Sequence, residues 1–172
     1  MMFVEKFGEF DSYEEINRAA AAQKAEGDEE ALIALAEENG IDKEDAEDYM
    51  DGCMDELCTV TTAALGKIAI EKKELEIAGV LQDWVEELEG LCTESPGMAA
   101  AVRKKGKSLA GYMGMITEEG WKDKAKVSQK IVDQTKEVKK FARGHDLYIG
   151  VPDRRRRKEL AREYYLGLEV IK

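Results

Sequence analysis

The residues in this sequence able to do chemistry are almost all charged. The run IDKEDAEDYMDGCMDE places Asp42, Asp45, Asp48, Asp51 and Asp55 at steps of three and four, a spacing that would line one helix face with carboxylates as far as Gly52. Carboxylates so spaced rise by about 4.5–6 Å along the axis, near the separation of successive phosphates on a nucleic-acid strand. A ridge of Asp42, Asp45, Asp48, Asp51 and Glu56 therefore reads either as a mimic of that backbone or as a solvated face that keeps the chain soluble. As a calcium loop it fails, because the alternating ligands, central glycine and terminal glutamate of an EF-hand are out of register. The opposite charge gathers in two clusters, Arg103, Lys104, Lys105 and Lys107, and Arg154, Arg155, Arg156 and Arg157 with Lys158. Cations at a helix start oppose its dipole, and arginine forks grip phosphates or carboxylates. Nucleic-acid contact, pairing with the chain's own acidic half and pairing with a second copy are the three uses open to them.

Other chemistry is scarce. His145 is the sole histidine, in Gly144-His145-Asp146, which removes metal sites built on two imidazoles and most nucleophile triads. Gly106, Gly111 and Gly114 fall in a helical pattern with neither a preceding strand nor a G-K-S/T ending, so no phosphate loop is expected. Cys53, Cys58 and Cys92 fit neither a disulfide framework nor C-x-x-C chemistry and are expected as reduced thiols on helix faces. Trp84, Trp121, Tyr164 and Tyr165 suit apolar stripes better than a base-stacking platform. No catalytic group, metal or cofactor is expected, and a binding role is.

Elements that would position these charges follow from the apolar pattern. Apolar residues make up 44% and charged residues 37% of the 172, with two prolines, as suits helices with charged outer faces. Ser12 and Glu15 form a capping box for a first helix ending at Gly27; Asp28 opens a second that stops at Asn39-Gly40; Asp42 opens a short third. Leu57 to Ile68 marks a fourth, and Leu75 to Cys92 a fifth, with Ile77, Leu81, Trp84, Val85, Leu88 and Leu91 in one broad stripe. Past Ser95-Pro96-Gly97, Val102, Leu109, Met113 and Ile116 continue at helical intervals as one helix loosened by glycines that close packing would explain. Val127, Ile131, Val138 and Phe141 make another stripe, and Asp153 caps a last helix turning Leu160, Ala161, Tyr164, Tyr165 and Leu168 inward. Leu147 to Val151 is either a short strand or a buried connector. The expectation is a single predominantly α domain over residues 1–172. It would be an irregular bundle of six to eight helices, with room for a small two-stranded element near Leu147–Val151 and Leu168–Ile171.

Cut near Ser95-Pro96-Gly97, the net charge of −11 separates into two halves. Residues 1–98 carry 27 acids against 7 bases, and residues 99–172 carry 10 against 19. Such asymmetry favours a charged partner or self-association through opposite faces, including a homodimer. The opening MMFVEKFGEF has no signal-peptide apolar run and no stretch approaches a membrane span, so a cytoplasmic protein without a membrane partner is expected.

Three longer stretches, SYEEINRAAAAQKAEGDEEALIALAEENGIDKEDAEDYMDGC, RKKGKSLAGYM and YIGVPDRRRRKELAREYYLG, resemble the PcfK-like family carried by conjugative plasmids and integrative elements of gut Firmicutes. That family includes type II anti-CRISPR proteins that inhibit Cas9. The resemblance implies a mobile-element protein of the bacterial host cell whose partner is a Cas9-type nuclease with its guide RNA. Such effectors hold nucleic acid in positive channels, into which Asp42, Asp45, Asp48, Asp51 and Glu56 would fit as phosphate surrogates. The basic C-terminal half would alternatively touch guide RNA or target DNA. A conjugation accessory that binds DNA or transfer proteins, and a homodimeric adaptor, share the same sequence features.

Overall fold

Ser12 starts the first helix by accepting a hydrogen bond from the Glu15 amide, and Glu15 reaches back to the amide of Asp11 at 2.7 Å. The computed structural model describes residues 10–168, and this helix, α1, spans Tyr13–Glu26. Gly27 ends it with φ 71°, in the left-handed conformation a glycine adopts without a Cβ penalty. Asp28 caps α2 (Glu29–Glu38), and Asp42 precedes α3 (Lys43–Met50) without a side-chain cap bond. Ile16, Ala20, Leu32, Leu35, Ile41, Ala46, Tyr49 and Leu57 close a first core. Asn17 ties it to the following loop through bonds to both the amide and the carbonyl of Cys58.

Thr59 caps α4 (Val60–Glu74), so its β-branched start yields to the apolar period. The expected helix from Leu75 to Cys92 starts later than its pattern suggests. Glu76 (φ 51°) and Gly79 (φ 62°) break the backbone, and α5 runs only over Val80–Glu94. Leu75 caps the end of α4, and Ile77 packs on the core from the turn. The single helix expected after Pro96 is likewise two, α6 (Pro96–Arg103) and α7 (Leu109–Lys122), capped by Ser95 and Ser108. Lys67 holds the break between them. Its buried ammonium donates to the carbonyls of Val102, Lys104 and Lys107 at 2.9, 2.8 and 2.6 Å, satisfying groups a continuous helix would have bonded itself.

Beyond α7 lie β1 (Ala125–Lys126), α8 (Gln129–Val132), α9 (Glu137–Ala142), β2 (Tyr148–Ile149) and α10 (Arg154–Leu166). The strand near Leu147–Val151 exists, but its antiparallel partner is β1, with Ala125 opposite Ile149 and Lys126 opposite Tyr148. Of the partner expected at Leu168–Ile171, Leu168 is exposed coil and the rest lies outside the described residues. The stripe of Ile131, Val138 and Phe141 faces outward, while Val132 and Ala142 are the buried residues of α8 and α9. The fold is predominantly α, with ten helices and one small sheet among the described residues. The count exceeds six to eight because the stripes after Pro96 and after Val127, each expected as one helix, divide into α6 and α7 and into α8 and α9.

A second core gathers Ile68, Trp84, Val85, Leu88, Val102, Leu109, Tyr112, Ile116, Leu160 and Tyr165. The two cores meet along α4. Gly66 of α4 lies so close to the Asn39-Gly40 turn that a Cβ on Gly40 would collide with the Gly66 carbonyl and one on Gly66 with the Asn39 carbonyl. Beside that crossing, the buried Arg103 donates to Asn39 Oδ1 at 2.9 Å, and Asn39 donates in turn to the Leu35 carbonyl.

Candidate functional site

The acidic ridge is placed by α3, whose inward residues Ala46 and Tyr49 fix its rotation. At 3.6 residues per turn, steps of three drift around a helix instead of following one face. Asp42 is exposed at the N-cap, Asp45 is half-buried next to Ala46, and Asp48 and Asp51 are exposed at the far end. Glu56 stands exposed in the loop beyond. The outward face is therefore Glu44, Glu47, Asp48 and Asp51, at steps of three and four counted from the side opposite Ala46. The regular aspartate spacing does not reveal Glu44 and Glu47; the buried pair Ala46 and Tyr49 does. Lys43 pairs with Glu47 at 3.5 Å. Among the described residues, Asp42, Glu44, Asp45, Asp48, Asp51 and Glu56 make no salt bridge.

The basic clusters fare differently. Arg103 is 1% exposed, so it is a core residue joining α6 to Asn39 and not a surface contact for nucleic acid. Its position in the sequence next to exposed Lys104 and Lys105 conceals that it closes the buried side of α6. Lys104, Lys105 and Lys107 are exposed in the loop after it; the Lys105 amide is bonded to Asp11, and the Lys107 ammonium lies 4.7 Å over the Tyr164 ring. On α10, Arg157 makes a two-pronged pair with Glu87 of α5 at 2.6 and 2.9 Å and also donates to the Pro152 carbonyl. Arg156 bonds Glu119 and Glu163, each at 2.8 Å, and Glu159 at 3.3 Å. These carboxylates hold both guanidiniums above their ordinary range, Arg156 chiefly through Glu163 and Arg157 chiefly through Glu87. Pairing with the chain's own acids is thus what Arg156 and Arg157 do. Arg155 and Arg154 pair more loosely, with Glu159 at 3.4 Å and Glu87 at 3.9 Å, and their side chains stay 90% and 71% exposed. Arg154 borders a groove of about 420 Å³ between α5 and α10 that also exposes Asp83, Glu86, Glu94 and Lys158.

No protein-family model, curated protein or solved structure matches the chain. Among the described residues no group of three His, Cys, Asp or Glu is placed to hold a metal ion, and no helix is long and apolar enough to cross a membrane.

The remaining candidates divide between core and surface. Cys53 and Cys58 lie in the loop before α4, not on helix faces; Cys53 is exposed, whereas burial pushes the Cys58 thiol up to about 12. Cys92 is buried on α5 and likewise raised to about 12 by burial. His145 is exposed in its loop. Trp84 and Tyr165 are core residues and Tyr164 packs at the core's edge, as the stripes suggest, but Trp121 is 68% exposed. Gly111 owes its place to close packing, since a Cβ there would run into the Tyr164 hydroxyl, and Gly114 faces open space.

Proposed function

We propose that this protein is an anti-CRISPR inhibitor that binds a guide-loaded Cas9-type nuclease and blocks its engagement of target DNA with the acidic face of α3. The observation that carries this reading is the contrast between the two charged surfaces. Arg156 and Arg157 are neutralised within the chain, whereas on the outward face of α3 only Glu47 is paired, with Lys43, and Glu44, Asp48 and Asp51 form no salt bridge among the described residues. Carboxylates left in water keep the chain soluble but cost the fold self-repulsion, a cost that a positive surface meeting them relieves. The nucleic-acid channel of a Cas9-type effector is such a surface, and the resemblance of three long segments to the PcfK-like family points to that partner. The chemistry required is steric and electrostatic, with no bond made or broken.

Cleavage of a matched DNA target by guide-loaded Cas9 in the presence of increasing amounts of the protein tests the reading, alongside gel filtration for a complex. Inhibition with co-elution is the expected result. Combined Glu44→Gln, Asp48→Asn and Asp51→Asn should relieve inhibition while the circular dichroism of the helices stays unchanged. Undiminished inhibition by that folded variant would remove the acidic face from the mechanism. No inhibition of several orthologues, with retention on DNA alone, would replace the proposal with a conjugation accessory.

A further inference from the structure

The end of α7 and the small sheet bring together residues that the sequence keeps far apart. Gly120, in the last turn of α7, and Gly150, just after β2, touch backbone to backbone; a Cβ on either would collide with the other's carbonyl. This contact pins β2 against the end of α7. Across the sheet Tyr148 stands opposite Lys126, and opposed residues of an antiparallel pair share a face, as do residues two apart on one strand. Lys124, entering β1, accordingly reaches the Tyr148 side: its ammonium lies 5.8 Å from the Tyr148 ring centroid and 4.2 Å from that of Trp121.

Both rings are open to solvent, Trp121 at 68% and Tyr148 at 47%. A protein gains little by leaving a tryptophan in water, and its cation–π contact with Lys124, whose ammonium also donates to the Trp121 carbonyl at 3.2 Å, returns only a small part of that loss. Residues 121–151 carry eight Lys or Arg against four Asp or Glu, and Lys126, opposite Tyr148, and Lys122, next to Trp121 in the chain, are exposed. Lys126 is partnered by Asp146 at 3.1 Å and Lys122 by Glu118 at 3.5 Å, both in water-exposed pairs that exchange readily for another anion.

We infer that Trp121, Lys124 and Tyr148 form a binding site for single-stranded nucleic acid. Unpaired bases stack on the two rings, and Lys124, Lys122 and Lys126 meet the phosphates. A duplex keeps its base faces stacked on one another and offers the rings nothing. An acidic polypeptide would satisfy the lysines but leave both rings wet. The inference is independent of the nuclease reading, because it concerns the isolated chain.

The test uses the whole protein and oligothymidylate at low salt. Trp84 is buried, so Trp121 supplies the accessible tryptophan emission, and stacking should quench it saturably. With a fluorescein-labelled oligonucleotide followed by anisotropy, Trp121→Ala and Tyr148→Ala should each weaken binding about tenfold. Lys124→Gln should weaken it and flatten its dependence on salt. Trp84 emission and helical circular dichroism report that each variant is folded. Absence of binding at low salt would overturn the inference, as would equal binding by all folded variants. Binding of polyglutamate, lost in the same variants while oligothymidylate is ignored, would make the corner a site for acidic polypeptide instead. Persistence of nuclease inhibition in Trp121→Ala would separate this site from the acidic face of α3.

Discussion

Two residues of the second half show how differently a charge behaves once it leaves water. The Arg157 and Glu87 side chains are 14% and 11% exposed, and the Arg157 carbonyl also receives the Tyr112 hydroxyl at 3.1 Å. Removing Arg157 leaves the enclosed Glu87 with only the exposed Arg154, at 3.9 Å, as its cation. Arg157→Ala should therefore destabilise the protein by about 3 kcal/mol in denaturant unfolding, whereas the exposed Arg155→Ala should change stability by about 0.5 kcal/mol or less. Glu71 presents the opposite case. One of its carboxylate oxygens accepts from the Leu109 amide at 3.3 Å, the other is buried with no hydrogen-bond partner, and burial raises its pKa against the pull of Lys67. A folded-state pKa above the unfolded value means that the native state holds its proton more tightly, so the contribution to stability is present below the ordinary glutamate range and falls as pH rises through the raised value. Glu71→Gln keeps an acceptor for Leu109 and removes this titration. Unfolding at a series of pH values should show the variant gaining on the parent as pH rises through the Glu71 titration, with the gain level above it. A constant difference at every pH would mean that Glu71 ionises as easily folded as unfolded.

Helix boundaries show where local sequence suffices and where it does not. Ser12, Asp28 and Asp153 cap the helices that their side chains announce, and Gly27 ends the first with positive φ, whereas Gly167 ends α10 before the Leu168 expected to turn inward. The break at Glu76–Gly79 was hidden because Leu75 and Ile77 keep the helical period running through it. The break after Arg103 depends on Lys67, some 35 residues away, whose ammonium replaces the missing backbone bonds; no local pattern carries that information. The acidic surface was legible in composition but not in detail, because which carboxylates face outward is decided by the burial of Ala46 and Tyr49. Trp121 and Tyr148 were unreadable as a pair, since the Gly120–Gly150 contact that joins them links separate elements. The helix glycines separate packing from tolerance. Gly114 of α7 has open space where a Cβ would go, so Gly114→Ala should stabilise by about 0.5–1 kcal/mol through helix propensity. Gly111→Ala, one turn earlier, would push on the Tyr164 hydroxyl, which accepts from the Ser108 amide at 2.9 Å, and should cost about 1–3 kcal/mol. Thermal unfolding of the two single variants distinguishes them by sign.

Across the whole molecule the charge is divided unevenly, and α10 offsets only part of it. Arg157 bridges to Glu87 of the acidic half; at the far end of α3 the Lys24 ammonium meets the Tyr49 carbonyl at 2.7 Å, but Asp48 and Asp51 themselves form no salt bridge among the described residues. Asp48 and Asp51 carry a double disadvantage there. They add to the repulsion among the 27 acids of residues 1–98, and they sit at the C-terminal end of a helix, where the dipole is itself negative. Asp48→Asn with Asp51→Asn should therefore raise the melting temperature at low salt, and asparagine is also well suited to a helix end. Salt would erase much of the gain, because the screening length falls from about 30 Å at 0.01 M to about 8 Å at 0.15 M. The loss caused by Arg157→Ala, made by a sheltered pair, should hold nearly constant across the same range. Thermal scans of parent and both variants at the two salt concentrations check this directly. A lower melting temperature for the double asparagine variant at low salt would show that these carboxylates stabilise the fold, and their exposure would then need no partner to explain it. A higher one, together with weaker nuclease inhibition, would show stability being given up for binding, the pattern expected where a protein keeps like charges together for a surface other than its own.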